Sequence, residues 1–349
     1  MQAPPPRVSV LMTTFNGERT IGESIASVLA QTFEDFELVV VDDASTDTTA
    51  ALLAGIADPR LRVLRNRHNL GVVGARNAGF ALCRGAYLAA LDHDDHAAPV
   101  RLARQVALLD AAPAVVLAGT RIRELHPDGR AVEDGFRGPE TPAAMRWHLH
   151  LRNPFTYSSV MVRAEAIRRI GGFMRPAALY ADDFDLYHRL AQVGDVAMLP
   201  EVLCTYRLHA GNATRTVKAE MDANAAAILG RAYAPWLAAD APEAARLMVA
   251  HVTNGSPVPD RTTLRRLGSI LERVLAGFLA AHRPAAADAV RIREIAGQTW
   301  WHLVRAAMRR GRPWHFDEYR RCAALRTGFR APLRDTAASV AIGLMRTRL

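Results

Sequence analysis

The chain has 349 residues, half of them apolar, and a formal net charge of +9, which specifies a globular protein with a sizeable core in one large domain or two. No stretch approaches the roughly 18 uninterrupted apolar residues of a membrane span. The opening Met-Gln-Ala-Pro-Pro-Pro-Arg lacks the apolar core of a secretory signal, so a cytosolic protein is expected.

Val8 to Met12 is a short β-branched run, followed by Ile21, Ile25, Val28 and Leu29 at helical spacing. Phe36 to Val41 predicts a second strand. The polar cluster Asp42-Asp43-Ala44-Ser45-Thr46-Asp47 behind it suits the cap of a helix beginning near Thr48. Further strands are predicted at Leu61 to Leu64, Tyr87 to Leu91 and Val115 to Ala118, with helices at Val72 to Cys83 and Pro99 to Leu109. This alternation predicts a mostly parallel sheet covered by helices on both faces.

After Gly119 the rhythm breaks at the turn His126-Pro127-Asp128-Gly129. A smaller α+β portion follows, with strands at Ser158 to Val162, Val196 to Leu199 and Leu203 to Leu208 and a helix over Asp183 to Val193. From about Thr216 the chain reads as helix, broken by Pro235, Pro242, Gly255 to Pro259, Pro284 and Pro313. Residues 1–235 and 236–349 are therefore expected as two domains.

Charge is unevenly spread. Residues 261–349 carry 18 Arg and no Lys against 6 acids, leaving 26 basic and 29 acidic residues in 1–260. Basic segments containing Trp300, Trp301, Trp314 and the run Arg309-Arg310-Gly311-Arg312 suit an anionic membrane surface or a partner subunit, and equally a solvated Arg-rich face. No nucleic-acid module accompanies the charge. Cys83, Cys204 and Cys322 lie far apart and form no CxxC, so neither a zinc site nor a disulfide framework is expected.

Chemistry concentrates at the predicted strand tips: Thr13-Thr14-Phe15-Asn16, Asp42-Asp43, and Asp92-His93-Asp94-Asp95. Tips of parallel strands share one edge, so these groups should converge on one crevice. Three carboxylates in four residues repel one another unless a cation is present, and hard oxygen ligands suit Mg²⁺ or Mn²⁺. The bland alternative is a solvated acidic turn. Phe15 can stack a base or close the core, and Asp43 can accept a base N–H or cap a helix. Asn69-Leu70-Gly71 through Arg76 offers glycines, a helix N-terminus and a cation, the ingredients for holding a diphosphate, although Arg76 could equally pair with a surface acid. Lys218 is the sole lysine, which argues against a P-loop nucleotidase and against a phospho-accepting signalling domain.

On the helix after residue 181, positions 183, 186, 187 and 190 form one stripe and 182, 185 and 189 another. Asp183 thereby extends the inward face, where a carboxylate can serve as a general base, and Asp182 is expected as the cap. His209, ending Tyr206-Arg207-Leu208-His209, is a candidate metal or phosphate contact, or a structural histidine.

The motifs Val8-Ser9-Val10 with Thr13, Phe15 and Asn16, then Gln31-Thr32-Phe33, Val41 to Asp47, Ala75-Arg76-Asn77-Ala78-Gly79, Leu91 to Asp95, Gly171-Gly172-Phe173, Asp182-Asp183 and Tyr206 to His209 resemble, in order and spacing, the family-2 inverting glycosyltransferases of the GT-A fold. The resemblance covers roughly residues 7–215. Two positions depart from the family: Asp182, where it usually has Glu, and His93 within the acidic motif.

The resemblance implies a Rossmann-like, mostly parallel α/β sheet flanked by helices, with a C-terminal helical extension. It implies a metal-dependent hexosyltransferase using a UDP- or dTDP-sugar and a glycan or lipid-linked acceptor, in bacterial polysaccharide and cell-envelope synthesis. Thr13, Phe15, Asn16, Asp43, Arg76 and Asp92 would bind the nucleotide sugar. Asp94, Asp95 and His209 would hold Mg²⁺ or Mn²⁺, and Asp183 would be the base. The competing readings are a sugar-phosphate nucleotidyltransferase and a non-catalytic nucleotide-sugar or glycan binder. The basic C-terminal region is the candidate for peripheral contact with the inner face of a membrane.

Overall fold

The computed structural model describes residues 4–135, 140–209, 217–310 and 315–347. These residues form two compact units, one of 1–145 with 154–224 and one of 146–153 with 225–349.

The first unit is built on a sheet whose described strands run in the order β3-β2-β1-β4-β8-β6-β9-β5. They are β1 (Val8–Thr14), β2 (Phe36–Asp42), β3 (Leu61–Arg65), β4 (Tyr87–Ala90), β5 (His96–Ala97), β6 (Val115–Leu125), β8 (Met161–Arg163) and β9 (Asp195–Arg207), with β7 (Ala131–Glu133) paired to β6. Strands β1 to β4 are mutually parallel, β8 runs antiparallel between β4 and β6, and β9 is parallel to β6. Every residue of β2 is buried, as expected of a strand covered on both faces.

Helices α1 (Ile21–Leu29), α2 (Thr49–Ala54), α3 (Gly71–Leu82) and α4 (Arg101–Ala111) connect the strands, and α5 (Pro142–Leu149), α6 (Ala164–Arg169) and α7 (Asp182–Leu190) follow. At the start of α2 Asp47 Oδ1 accepts the Thr49 N–H at 2.9 Å, while Thr48, the residue at the cap position, makes no side-chain capping bond.

Three sequence expectations are corrected. Val196 to Leu199 and Leu203 to Leu208 are one strand, β9, because Pro200 and Glu201 fall at an irregularity in its pairing with β6 rather than in a turn. Ser158 to Val162 divides into a 3₁₀ turn, Tyr157–Ser159, and the short strand β8. Pro235 does not break a helix, since α8 (Lys218–Leu237) continues two residues beyond it and loses only one hydrogen bond near its end.

Helix α3 lies close against the sheet because Gly79 has no side chain. A Cβ there would stand 2.3 Å from Leu11 Cδ1 and 2.8 Å from Val41 Cγ2, both on fully buried residues.

The second unit is helical: after α8 come α9 (Ala241–Met248), α10 (Arg261–His282), α11 (Ala286–Met308), α12 (Phe316–Arg321), α13 (Ala323–Gly328) and α14 (Leu333–Thr347). Trp300 and Trp301, expected on a surface, are instead at its core, 0 % and 2 % exposed. Trp301 meets Tyr319 edge-on, with ring centroids 5.2 Å apart, and Gly268 makes room for the Trp300 ring and the Cys322 thiol. Burying such large apolar rings outweighs leaving them in water. Trp314, Gly311 and Arg312 lie outside the described residues.

Two outcomes are expected. Gly79→Ala overfills the α3–sheet contact and should cost about 1–3 kcal/mol, read as a lower urea midpoint with an unchanged slope. His148 is buried, and desolvation assisted by Arg152 and Arg291 lowers its imidazole pKa to about 3. Its stabilising contribution is complete above the unfolded value of about 6.5 and is lost as pH falls towards 3, because only the unfolded chain takes up the proton. Between those limits stability should fall by up to about 1.4 kcal/mol per pH unit more in the native protein than in His148→Gln.

Candidate active site

The carboxyl ends of β1, β2 and β4 lie along one sheet edge, with Thr14 opposite Asp42 and Leu11 opposite Ala90. At the β1 tip Thr13 is half-buried, and its carbonyl stands 3.3 Å from His93 Nδ1. Phe15 is 47 % exposed, so it does not close the core. Asn16 adopts a left-handed backbone (φ 55°). Its N–H donates to Ser45 Oγ at 2.9 Å and its Oδ1 accepts the Thr46 N–H at 2.8 Å, which ties the β1 tip to the loop after β2.

Asp43 is buried, and its N–H donates to the Thr14 carbonyl at 2.8 Å. Its carboxylate accepts Asn66 Nδ2 at 2.7 Å and the Leu70 N–H at 2.9 and 3.1 Å, so it also shapes the loop that leads into α3. A carboxylate has about four lone-pair directions, which leaves acceptor capacity for a ligand N–H.

The acidic loop after β4 is held from several sides. The Asp92 N–H donates to Ser158 Oγ at 3.0 Å, and Asp94 Oδ2 lies 2.7 Å from His209 Nε2. Asp95 is 1 % exposed, and its Oδ1 accepts the Arg207 N–H at 3.0 Å. Burial, with the repulsion of Asp94 and Asp92 added, pushes the Asp95 carboxyl well above the usual range. Arg207 also donates to the Asp94 carbonyl at 3.1 Å and to Glu23 at 2.6 Å.

Arg76 is buried in α3. One terminal nitrogen donates to Asp182 Oδ2 at 2.8 Å and the other to Asp92 Oδ1 at 3.1 Å, with the guanidinium carbon 3.5 Å from the Tyr157 ring centre. Burial opposes its charge, but Tyr157, Asp182, Asp92 and Asp183 outweigh that and raise its pKa well above the ordinary value. Asp182 is therefore not a helix cap, which corrects the sequence expectation. It makes no capping bond and is 3 % exposed, because an ion pair compensates its burial. The polar stripe of α7 is buried in the same way, with Asp185 accepting Arg189 Nε at 2.8 Å. Asp183, at the start of α7, is half-buried, and its Oδ1 accepts the Phe184 N–H at 2.7 Å.

Tyr157 and Ser158 escaped the sequence reading, since an aromatic before an apolar run reads as core. The part of Arg207 was legible as a cation two residues before His209, on a strand aimed at the acids.

The donor set is hard oxygen plus one imidazole, which fits Mg²⁺ or Mn²⁺. Among the described residues no three His, Cys, Asp or Glu side chains gather closely enough to hold an ion unaided. Such an ion would complete its shell with water and substrate oxygens, the usual habit of Mg²⁺.

A sequence profile of glycosyl transferase family 2 matches residues 9–171. An uncharacterized glycosyltransferase of Haemophilus influenzae is 31 % identical over 225 residues, spanning 61 % of this chain and 68 % of that protein. The chain belongs to glycosyl transferase family 2. The Escherichia coli UDP-Glc:alpha-D-GlcNAc-diphosphoundecaprenol beta-1,3-glucosyltransferase WfgD is 38 % identical over 102 residues, 29 % of this chain and 40 % of that protein. Among solved structures, Staphylococcus aureus TarS 1–349 in complex with UDP-GlcNAc superposes with a TM-score of 0.55 at 16 % identity, covering 98 % of this chain and 91 % of that one. The fold is of the GT-A type expected.

Because Asp43 supports the loop before α3, Asp43→Ala should destabilise the ligand-free protein by about 1–3 kcal/mol in urea unfolding. A residue placed for ligand alone would leave that midpoint unmoved.

Proposed function

We propose that this protein is an inverting glycosyltransferase that moves a hexose from a UDP- or dTDP-sugar to a hydroxyl of a glycan or lipid-linked acceptor in bacterial polysaccharide synthesis. One observation carries the reading: Asp183 follows directly on Asp182, whose ion pair with Arg76 ties the start of α7 to Asp92 at the β4 tip. That link supports a half-buried carboxylate near the Arg76–Asp92 pair, and Asp43 lies at the β2 tip along the same sheet edge. Family membership supports glycosyl transfer. The UDP-sugar in the TarS complex and the diphosphoundecaprenol-linked acceptor in the WfgD name support the choice of donor and acceptor class.

In this reading Phe15 stacks the base, Asp43 accepts its N3–H, which uracil and thymine share, and Thr13, Asn16 and Asp92 complete the nucleoside side. Asp94, Asp95 and His209 would hold Mg²⁺ or Mn²⁺, which when bound supplies positive charge for the departing diphosphate. Asp183 takes the proton from the acceptor hydroxyl as that oxygen attacks C1 from the face opposite the nucleotide. A single displacement inverts the anomeric centre.

No described helix is long and apolar enough to cross a membrane. The arginine excess of residues 261–349 supports peripheral contact with an anionic surface, where a lipid-linked acceptor would lie. The support is charge, since Trp300 and Trp301 are interior.

General-base assistance is typically worth about 10²–10⁴ in rate. Asp183→Asn should lose turnover by that factor while UDP still stabilises the protein against heat in the presence of Mn²⁺. Unchanged turnover would place the base elsewhere, and donor binding by the native protein with neither transfer nor hydrolysis would favour the non-catalytic alternative.

A further inference from the structure

We infer that Arg76 is a positioning residue that fixes the general base relative to the donor site, rather than a ligand of the diphosphate. The inference rests on Asp183 being that base.

Both terminal nitrogens of Arg76 are already committed, to Asp92 on the β4 tip and to Asp182 on the first turn of α7. The Tyr157 ring lies against its planar face, 3.5 Å from the guanidinium carbon, and the next residue, Ser158, accepts the Asp92 N–H at 3.0 Å. Asp92, Arg76, Tyr157 and Ser158 thereby close a ring of contacts that leaves the cation 7 % exposed. Each terminal nitrogen keeps a second N–H, and among the described residues Nε–H has no partner, but at 7 % exposure the cation offers little approach to a diphosphate, and its planar fork suits holding both carboxylates at once.

A second contact, independent of charge, joins the same two parts of the chain. Asn77 Nδ2 donates to the Met174 carbonyl at 3.0 Å, and the Met174 N–H donates to Asn77 Oδ1 at 3.0 Å. Consecutive residues of α3 therefore grip the segment leading into α7 at residue 174 and α7 itself at residue 182. Helix α3 is in turn fixed to β1 and β2 by the close approach at Gly79. The place of Asp183 is thus set from the sheet through α3, and a displaced base loses rate far more than binding.

The test compares Arg76→Lys, Asp182→Asn and the double variant with the native protein, by turnover on a panel of UDP- and dTDP-sugars and by calorimetric affinity for UDP with Mn²⁺. Lysine keeps the charge but cannot fork between two carboxylates. Each single variant should lose about 100-fold in kcat, with UDP affinity changed less than about threefold. The double variant should be no slower than the worse single one. A tenfold or greater loss of UDP affinity in Arg76→Lys, with kcat of Asp182→Asn intact, would overturn the inference in favour of a diphosphate contact. If the native protein transfers no sugar and Asp183→Asn changes nothing, it is the glycosyl-transfer reading that has failed. The Arg76–Asp182 link is then judged on Tm alone, where additive losses overturn it and less-than-additive losses sustain it.

Discussion

A guanidinium buried between two carboxylates is tolerable only when all three groups are held in register, because Arg76 and Asp182 would each alone face the cost of leaving water, and the part-exposed Asp92 completes the pairing. The Arg76, Asp92 and Asp182 cluster meets that condition, and much of the site follows from it. It brings a strand tip, a helix packed on the sheet and the start of a second helix to one point, and Asp183 is the next residue along. The acidic loop is tied to the end of β9 by other contacts: Arg207 donates its Nε–H to the Asp94 carbonyl and its backbone N–H to Asp95 Oδ1, and His209 Nε2 lies beside Asp94 Oδ2.

Strands β1 to β4, their parallel run and the polar tips were legible because covered strands read as continuous apolar runs and their polar ends fall where the runs stop, whereas the short β5 and β7 carry no such run. The candidate site residues stood out for a related reason: Asp43, Asp92, Asp94 and Asp95 sit at those stops. What the sequence hid was pairing. Helical spacing sorted Asp182, Asp185 and Arg189 into a polar stripe and made Asp182 a cap; the Asp185–Arg189 pair at i,i+4 was within reach of that spacing, but the arginine that buries Asp182 was not. Residues 76 and 182 are far apart in the chain, and periodicity within one helix carries no information about the other.

The same reasoning explains the tryptophans. Basic charge and indole rings in one stretch of sequence suggested a shared surface, but Trp300 and Trp301 face inward on α11 while Arg310 on the following turn is exposed. One stretch of chain therefore serves both core and surface, and only its geometry separates the two.

The single long strand β9 has a bearing on how this protein can vary. It starts at residue 195 and ends at residue 207, against the acidic loop, so a length change inside it would carry Arg207 and His209 to the other side of the sheet. Its pairing with β6 is already irregular between Val115 and Leu117 and again from Thr120 to Ile122, stretches where an extra residue could be absorbed without turning the rest over. Length variation in relatives should gather at those irregularities, and the stretch from Cys204 to Arg207 should keep its count.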